Sequence, residues 1–371
     1  MLNHPNFPSL FDSFNIGKLS INNRIIMAPM TRGQSPKNIP SSEVARYYRR
    51  RAEGGAGLII TECTFIDHPV ANGFTDAPAF YGKDALKGWE KVVEEVHSAG
   101  GKIFPQIWHA GPSRMMDTSP NENCPSIGPI DVYQNGKKIV TKMTPSDILD
   151  VVDAFGNAAL TAKEIGFDGV EIHGAHSYLI DSFLWHKSNQ RQDRYGGNLK
   201  KRVRFASEVV SSVRSAVGPD FPICFRFSQW KLTDYEAKIV SNPYDLESLL
   251  LPLVEAGVDV FHVSTRRFWQ PAFNDSSRTL AGWTKFITGK PVIAVGNVGI
   301  DQQFSLDMFS KNVNLLPQSV ERVESMLESG EFDLIAVGRA LLADPDWVKK
   351  IRLGRLTDIV PFSSGSLAFL N

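Results

Sequence analysis

The sequence predicts one α/β barrel, eight parallel strands each followed by a helix, spanning all 371 residues as a single domain with its core at about residues 10–354. Three observations carry this expectation. Eight short apolar runs alternate with longer amphipathic ones almost from end to end, which implies parallel βαβ units. Each run is rich in β-branched or aromatic residues, as strands buried on both faces are. The turn after the first run reads Ala28-Pro29-Met30-Thr31-Arg32, without the GxGxxG that a doubly wound dinucleotide-binding sheet carries there.

The strands are expected at Arg24–Met27, Gly57–Thr61, Lys102–Ile107, Gly169–Ile172, Pro222–Phe227, Val258–Val263, Pro291–Val295 and Leu334–Val337. Phe14–Asn23, with Gly17-Lys18 as a two-residue turn, reads as a hairpin plugging the N-terminal end of the barrel. Thr144-Pro145-Ser146-Asp147 is a helix start: an N-cap, a proline at the first position and an acid at the third. Ile148, Val152, Phe155, Ala159 and Ala162 then recur at helical spacing until Gly166. Asp344-Pro345 is expected to open the last helix in the same way. Gly111–Lys142, after the third strand, reads as a long irregular loop over the barrel mouth.

Forty Lys+Arg balance forty Asp+Glu, so coating nucleic acid or an anionic membrane is not the expected role. Self-association is left open. Three cysteines, Cys63, Cys124 and Cys224, are too few and scattered for a disulfide framework. No apolar run reaches the roughly 18–20 residues of a membrane span, and MLNHPNFPSL lacks the marks of a signal peptide. A cytoplasmic protein is expected.

Functional groups of such barrels sit at the C-terminal strand ends. Those positions hold Pro29, Met30 and Thr31, then Cys63, then Gln106 and His109, then His173, His176 and Tyr178, then Arg226, and finally Gly296-Asn297 and Gly338-Arg339. The last two pairs suit a phosphate, since glycine lets backbone N–H groups approach an anion and Arg339 adds a guanidinium fork; tight turns are the alternative. His173 and His176 are either metal ligands, with no obvious third ligand, or neutral donors aimed at one oxygen. Tyr178 is a poor base but a credible acid toward a carbanion. Arg226, in an apolar strand, either meets an anionic ligand or pairs with a carboxylate such as Glu171. Gln106 suits a heterocycle edge, Thr31 is a hydroxyl donor or a helix cap, and Cys63 packs against a ligand.

Phe268-Trp269, with Pro271 and Phe273, caps the mouth or supplies a stacking surface through Trp269. Arg266-Arg267 and Arg49-Arg50-Arg51 read as solvated basic faces.

From about Leu10 to about Gly354 the chain resembles the Old Yellow Enzyme family of FMN-dependent NAD(P)H oxidoreductases. The resemblance rests on Arg24–Arg32 (RIIMAPMTR), Gln106–Gly111 (QIWHAG), Gly169–Leu179 (GVEIHGAHSYL), Ser188–Gly197 (SNQRQDRYGG) and the late glycine-bearing segments. It implies non-covalent FMN, with Pro29, Met30, Thr31, Cys63, Gln106 and Arg226 along the isoalloxazine and Gly296, Asn297, Gly338 and Arg339 at the phosphate. NAD(P)H would be the hydride-donating co-substrate and an α,β-unsaturated carbonyl compound the acceptor. His173 and His176 would hold its oxygen, and Tyr178 would donate the proton. Pro112, Ser177, Ser182 and Trp185-His186-Lys187 depart from the family pattern around the mouth, and Ser264–Phe273 with Asp234 and Tyr235 suggests a separate branch. An iron–sulfur dienoyl-CoA-reductase-like enzyme is disfavoured, because the chain ends soon after the barrel without cluster cysteines. The competing readings are a barrel that binds FMN without turnover and, more remotely, a metal hydrolase using His109, His173 and His176.

Overall fold

In seven of the eight barrel strands alternate residues go to different cores, and this hidden period of two builds the molecule. The structure is a computed structural model describing residues 7–115, 118, 120–300 and 318–371. Residues 1–6 of the stretch weighed as a signal peptide, and 116, 117 and 119 of the mouth loop, lie outside the described residues. The strands, in chain order, are β1 (Phe14–Ile16), β2 (Leu19–Ile21), β3 (Ile25–Met27), β4 (Leu58–Phe65), β5 (Ile103–Trp108), β6 (Ser126–Gly128), β7 (Val132–Gln134), β8 (Lys137–Lys142), β9 (Val170–Gly174), β10 (Ile223–Ser228), β11 (Val260–Ser264), β12 (Val292–Val295) and β13 (Leu334–Val337).

Eight of them close a barrel in the order β10-β11-β12-β13-β3-β4-β5-β9, and β9 pairs back onto β10. All eight pairings are parallel. Helices Ser42–Glu53, Lys83–Ser98, Pro145–Glu164, Arg204–Val217, Pro243–Ala256, Leu280–Thr288 and Gln318–Glu328 connect successive barrel strands. The first, third, fifth and sixth of these start on side-chain caps from Ser41, Thr144, Asn242 and Thr279. The expected capping box at Thr144 and Asp147 is present.

Ile25, Ile59, Ile335, Val263 and Phe225 join the outer core between strands and helices. Ile26, Leu58, Ile60, Phe104, Cys224, Val260, Ile293 and Leu334 join a smaller inner core that also contains Ile16 and Ile21. The β1–β2 hairpin, with Gly17 at φ 59, therefore plugs the barrel as expected.

Above that apolar floor the inward positions turn polar. Gln106, Glu171 and Cys224 are lateral neighbours in register, as are His173, Arg226 and His262 one step higher. Burying a polar layer requires that its members satisfy one another. Four expectations need correction. Gly111–Lys142 is not irregular: it contains a three-stranded sheet ordered β6-β8-β7. Asp344 does not open the last helix, which runs Trp347–Arg352; its carboxylate instead binds Lys350 and the backbone N–H groups of Asp346 and Val360. Arg51 is wholly buried rather than solvated, 3.8 Å over the Tyr47 ring, and donates to the carbonyls of Tyr47, Leu341, Leu342 and Asn371. Arg266 faces the mouth cavity, its guanidinium 4.0 Å over the Tyr235 ring.

Candidate active site

The strands end in a cavity of about 500 Å³ at the C-terminal mouth of the barrel. Pro29, Met30, Thr31, Cys63, Gln106, His173, His176, Tyr178, Arg226, Gly296, Asn297, Gly338 and Arg339 all line it. Trp269 does not line it. The chain turns outward after β11, so Phe268 packs edge-on against Phe332, and Trp269 lies under the Arg322 guanidinium at 4.8 Å.

Gln106 is fixed by its neighbour. Its Nε2 donates to Glu171 Oε1 at 2.7 Å, which leaves the amide oxygen as the group available to the cavity. Glu171 also accepts from His262 Nδ1 at 2.6 Å and from the Cys224 thiol at 3.2 Å. Burial pushes the Glu171 carboxyl up, but the His262 contact and the Arg226 charge outweigh it and hold it near 2. Glu171 thus spends its acceptors below Arg226, and no Arg226–carboxylate ion pair forms among the described residues. Arg226 Nε is buried without a partner. Burial lowers the Arg226 pKa, opposed by Glu171.

His173, inside β9, accepts from the Ala175 N–H at Nδ1, 3.3 Å, so its neutral ring carries the proton on Nε2. Burial first, then Arg226, lower its pKa to about 3. His176 follows β9 in the left-handed conformation, φ 63, as does Ser177, φ 68. Their N–H groups donate to Ser228 Oγ and Asp181 Oδ2, at 3.2 and 2.7 Å. The two imidazoles meet edge to face at 5.2 Å, and the Tyr178 ring stands against His173 at 4.9 Å. Burial raises the Tyr178 pKa well above its usual value, so the phenol stays protonated.

Thr31 Oγ1 lies 3.4 Å from Cys63 Sγ, and burial pushes that thiol up to about 12, which makes it a packing group rather than a nucleophile. Gly296 needs glycine for the fold itself: its φ is +150, and a Cβ would come within 2.5 Å of the Thr265 carbonyl oxygen. Asn297, φ 66, accepts from Arg339 Nη2 at 3.1 Å. His109 is not part of the group. It bonds His68 at 3.0 Å through Nε2 and accepts from Gly111 N–H through Nδ1, outside the cavity lining.

Sequence reasoning missed Phe74, Trp230, Leu232, Ser264, Phe362 and Leu367, which also line the cavity. Trp230 and Ser264 carried a weak signal, since each stands at or just beyond a strand end. Phe362 and Leu367 carried none, because only the folding back of the C-terminal segment brings them there.

The fold and this mouth define a (β/α)₈-barrel enzyme of the flavin-dependent oxidoreductase class. The chain belongs to the NADH:flavin oxidoreductase / NADH oxidase family, the Old Yellow Enzyme family, whose sequence model matches residues 9–358, and FMN is its cofactor. It is 34% identical to an NADH oxidase of Thermoanaerobacter brockii over 363 residues, covering 95% of this chain and 52% of that protein. This chain thus spans about half the length of that relative. It is 32% identical to 12-oxophytodienoate reductase 1 of Oryza sativa subsp. japonica, covering 93% and 86% of the two chains. Among solved structures, morphinone reductase in complex with tetrahydroNAD superposes with a TM-score of 0.77 at 28% identity, covering 93% and 90%. The old yellow enzyme homologue from Zymomonas mobilis superposes at 0.79 with 25% identity, covering 97% and 96%. Among the described residues, no helix is long and apolar enough to cross a membrane.

Proposed function

We propose that the barrel mouth reduces the activated C=C bond of α,β-unsaturated carbonyl compounds, with FMN held between Arg226 and Arg339 and NAD(P)H as hydride donor. The observation that carries this reading is the convergence of His173, His176 and Tyr178 on the cavity that Arg226 also faces.

The residues present fit an FMN. Arg226 has a buried unpartnered Nε and needs a negative partner, which an electron-rich flavin edge provides. The Gln106 oxygen, kept cavity-facing by Glu171, is an acceptor for a ring N–H. Pro29, Met30, Thr31 and Cys63 supply the wall beside the ring system. At Gly338 an added Cβ would come into van der Waals contact with Met30 Sδ at 3.5 Å, and together with Gly296, Asn297 and Arg339 this glycine would take the phosphate.

Bound there, FMN supplies two-electron hydride transfer from the nicotinamide to the substrate β-carbon. The chain supplies the rest. His173 donates from Nε2, and His176 from its cavity-facing nitrogen, to the carbonyl oxygen. Both bonds strengthen as enolate charge develops, so they lower the barrier rather than merely binding substrate. Tyr178, neutral at any physiological pH, gives its phenolic proton to the α-carbon. Trp230, Phe74 and Leu232 exclude water around the reacting atoms.

The visible spectrum of purified protein, followed by anaerobic addition of NAD(P)H and then cyclohexenone, tests the reading. Bleaching by NAD(P)H and reoxidation by the enone are expected. A flavin-loaded protein that NAD(P)H reduces but no enone reoxidises would leave a flavin binder instead.

A further inference from the structure

His176 has one proton and two ring nitrogens, and the structure says what decides between them. Ser264, the last residue of β11 and only 3% exposed, places its Oγ 2.8 Å from His176 Nε2. It points inward for the same reason as Val260 and His262, four and two residues earlier in one strand. The register sets it beside Ser228 of β10, whose Oγ accepts the His176 backbone N–H, so neighbouring strands hold the backbone and the ring of one residue. Trp230 stacks on that ring at 4.4 Å and 32°, and His173 stands edge-on to it, which leaves little freedom to turn. Nδ1 has no hydrogen-bond partner among the described residues and is the nitrogen left for a ligand. Burial, with Arg226, His173 and Lys231 nearby, keeps the ring neutral.

A neutral imidazole that donates through one nitrogen must accept through the other, and a hydroxyl can meet Nε2 in either role, so the direction of this one bond sets the tautomer. With the proton on Nε2, Nδ1 would turn a lone pair toward the substrate oxygen and repel it. His173 needs no such help, because the Ala175 N–H already assigns its tautomer. We propose that Ser264 is a positioning residue: by donating its hydroxyl hydrogen to His176 Nε2, it fixes the Nδ1–H tautomer and makes His176 a second donor toward the substrate carbonyl. This rests on the reading of the mouth as a carbonyl-binding site. Apart from the site it shares with that reading, it concerns a residue outside the motif that carries the two histidines.

The test uses histidine-labelled protein and para-hydroxybenzaldehyde. Nitrogen-15 correlation spectra should show His176 protonated on Nδ1 in the wild-type protein and in Ser264→Thr, which keeps the hydroxyl. Ser264→Ala should shift the proton to Nε2. In the FMN-loaded protein, Ser264→Ala should weaken phenolate binding, read from its long-wavelength charge-transfer band, by about ten-fold, as expected for one charge-assisted hydrogen bond. FMN affinity should stay within about two-fold, and Ser264→Thr should restore phenolate binding. A wild-type His176 protonated on Nε2, or unchanged phenolate affinity in Ser264→Ala, would overturn the proposal. Failure of the carbonyl-site reading looks different: the wild-type protein would give no charge-transfer band at all, while the tautomer spectra would still judge Ser264.

Discussion

His262 Nδ1 lies 2.6 Å from Glu171 Oε2 in a wholly buried layer of the barrel, across the strand that carries Arg226. His262 donates as a neutral ring, its pKa lowered by burial against the opposing pull of Glu171. One ionised carboxylate therefore orients Gln106, anchors His262 and lends negative charge beneath Arg226 without contacting it. Glu171→Gln should cost about 3 kcal/mol of unfolding free energy, by leaving Arg226 uncompensated, and should weaken FMN binding at least about ten-fold. Denaturant unfolding and flavin-fluorescence titration measure the two effects.

Two buried glutamates should give stability opposite pH dependences. Glu171 titrates near 2 folded against an ordinary glutamate value of 4.5, so its contribution is present above 4.5 and is lost as pH falls toward 2. Glu62 goes the other way. Burial raises it to about 7, although its Oε2 accepts from the Arg32 and Gly33 N–H groups. The folded state holds an extra proton from 4.5 to about 7, so stability falls across that window as pH rises, by roughly 3 kcal/mol at most. In Glu62→Gln the slope between pH 4.5 and 7 should flatten. An unchanged slope in chemical unfolding would assign that limb to other groups.

Tyr178→Phe should slow reoxidation by an enone by about 100-fold or more while leaving anaerobic reduction by NAD(P)H nearly intact. Stopped-flow absorbance resolves the two half-reactions. Equal losses in both would remove Tyr178 as the proton donor.

Lys231 Nζ and Asp181 Oδ1 form an ion pair at 2.7 Å with both side chains fully buried, and Asp181 Oδ2 also holds the Ser177 N–H. Lys231→Met alone should destabilise the protein by about 3–5 kcal/mol, since it strands the carboxylate. Adding Asp181→Asn should recover most of that, because an amide still accepts from Ser177. Thermal unfolding of the single and double variants checks the cycle.

Ser177 holds the left-handed backbone conformation that favours glycine, at φ 68. Its hydroxyl oxygen is buried without a partner. Ser177→Gly should raise stability by about 1 kcal/mol, seen as a higher melting temperature.

The barrel was legible because each of its causes is local. Apolar runs such as Leu334–Val337 declare strands, Thr144 and Asp147 declare a helix start, and the eight-fold alternation leaves few topologies. His173, His176, Tyr178 and Arg226 were legible because polar residues at the ends of apolar strands have few places to go but the mouth. Trp269 failed for the converse reason: an aromatic residue two positions past Arg267 says nothing about which way a loop turns.

Tertiary structure alone decided which polar groups answer one another. Whether Arg226 pairs with Glu171, which way the Gln106 amide faces and which nitrogen of His176 meets Ser264 depend on register between strands far apart in sequence. A parallel barrel aligns those residues to within a hydrogen bond, and hydrogen bonds lose their strength within a fraction of an ångström. The sequence by itself determined the scaffold and the polar strand-end residues of the mouth; the closing of the barrel decided the rest of its lining and the directions in which its protons point.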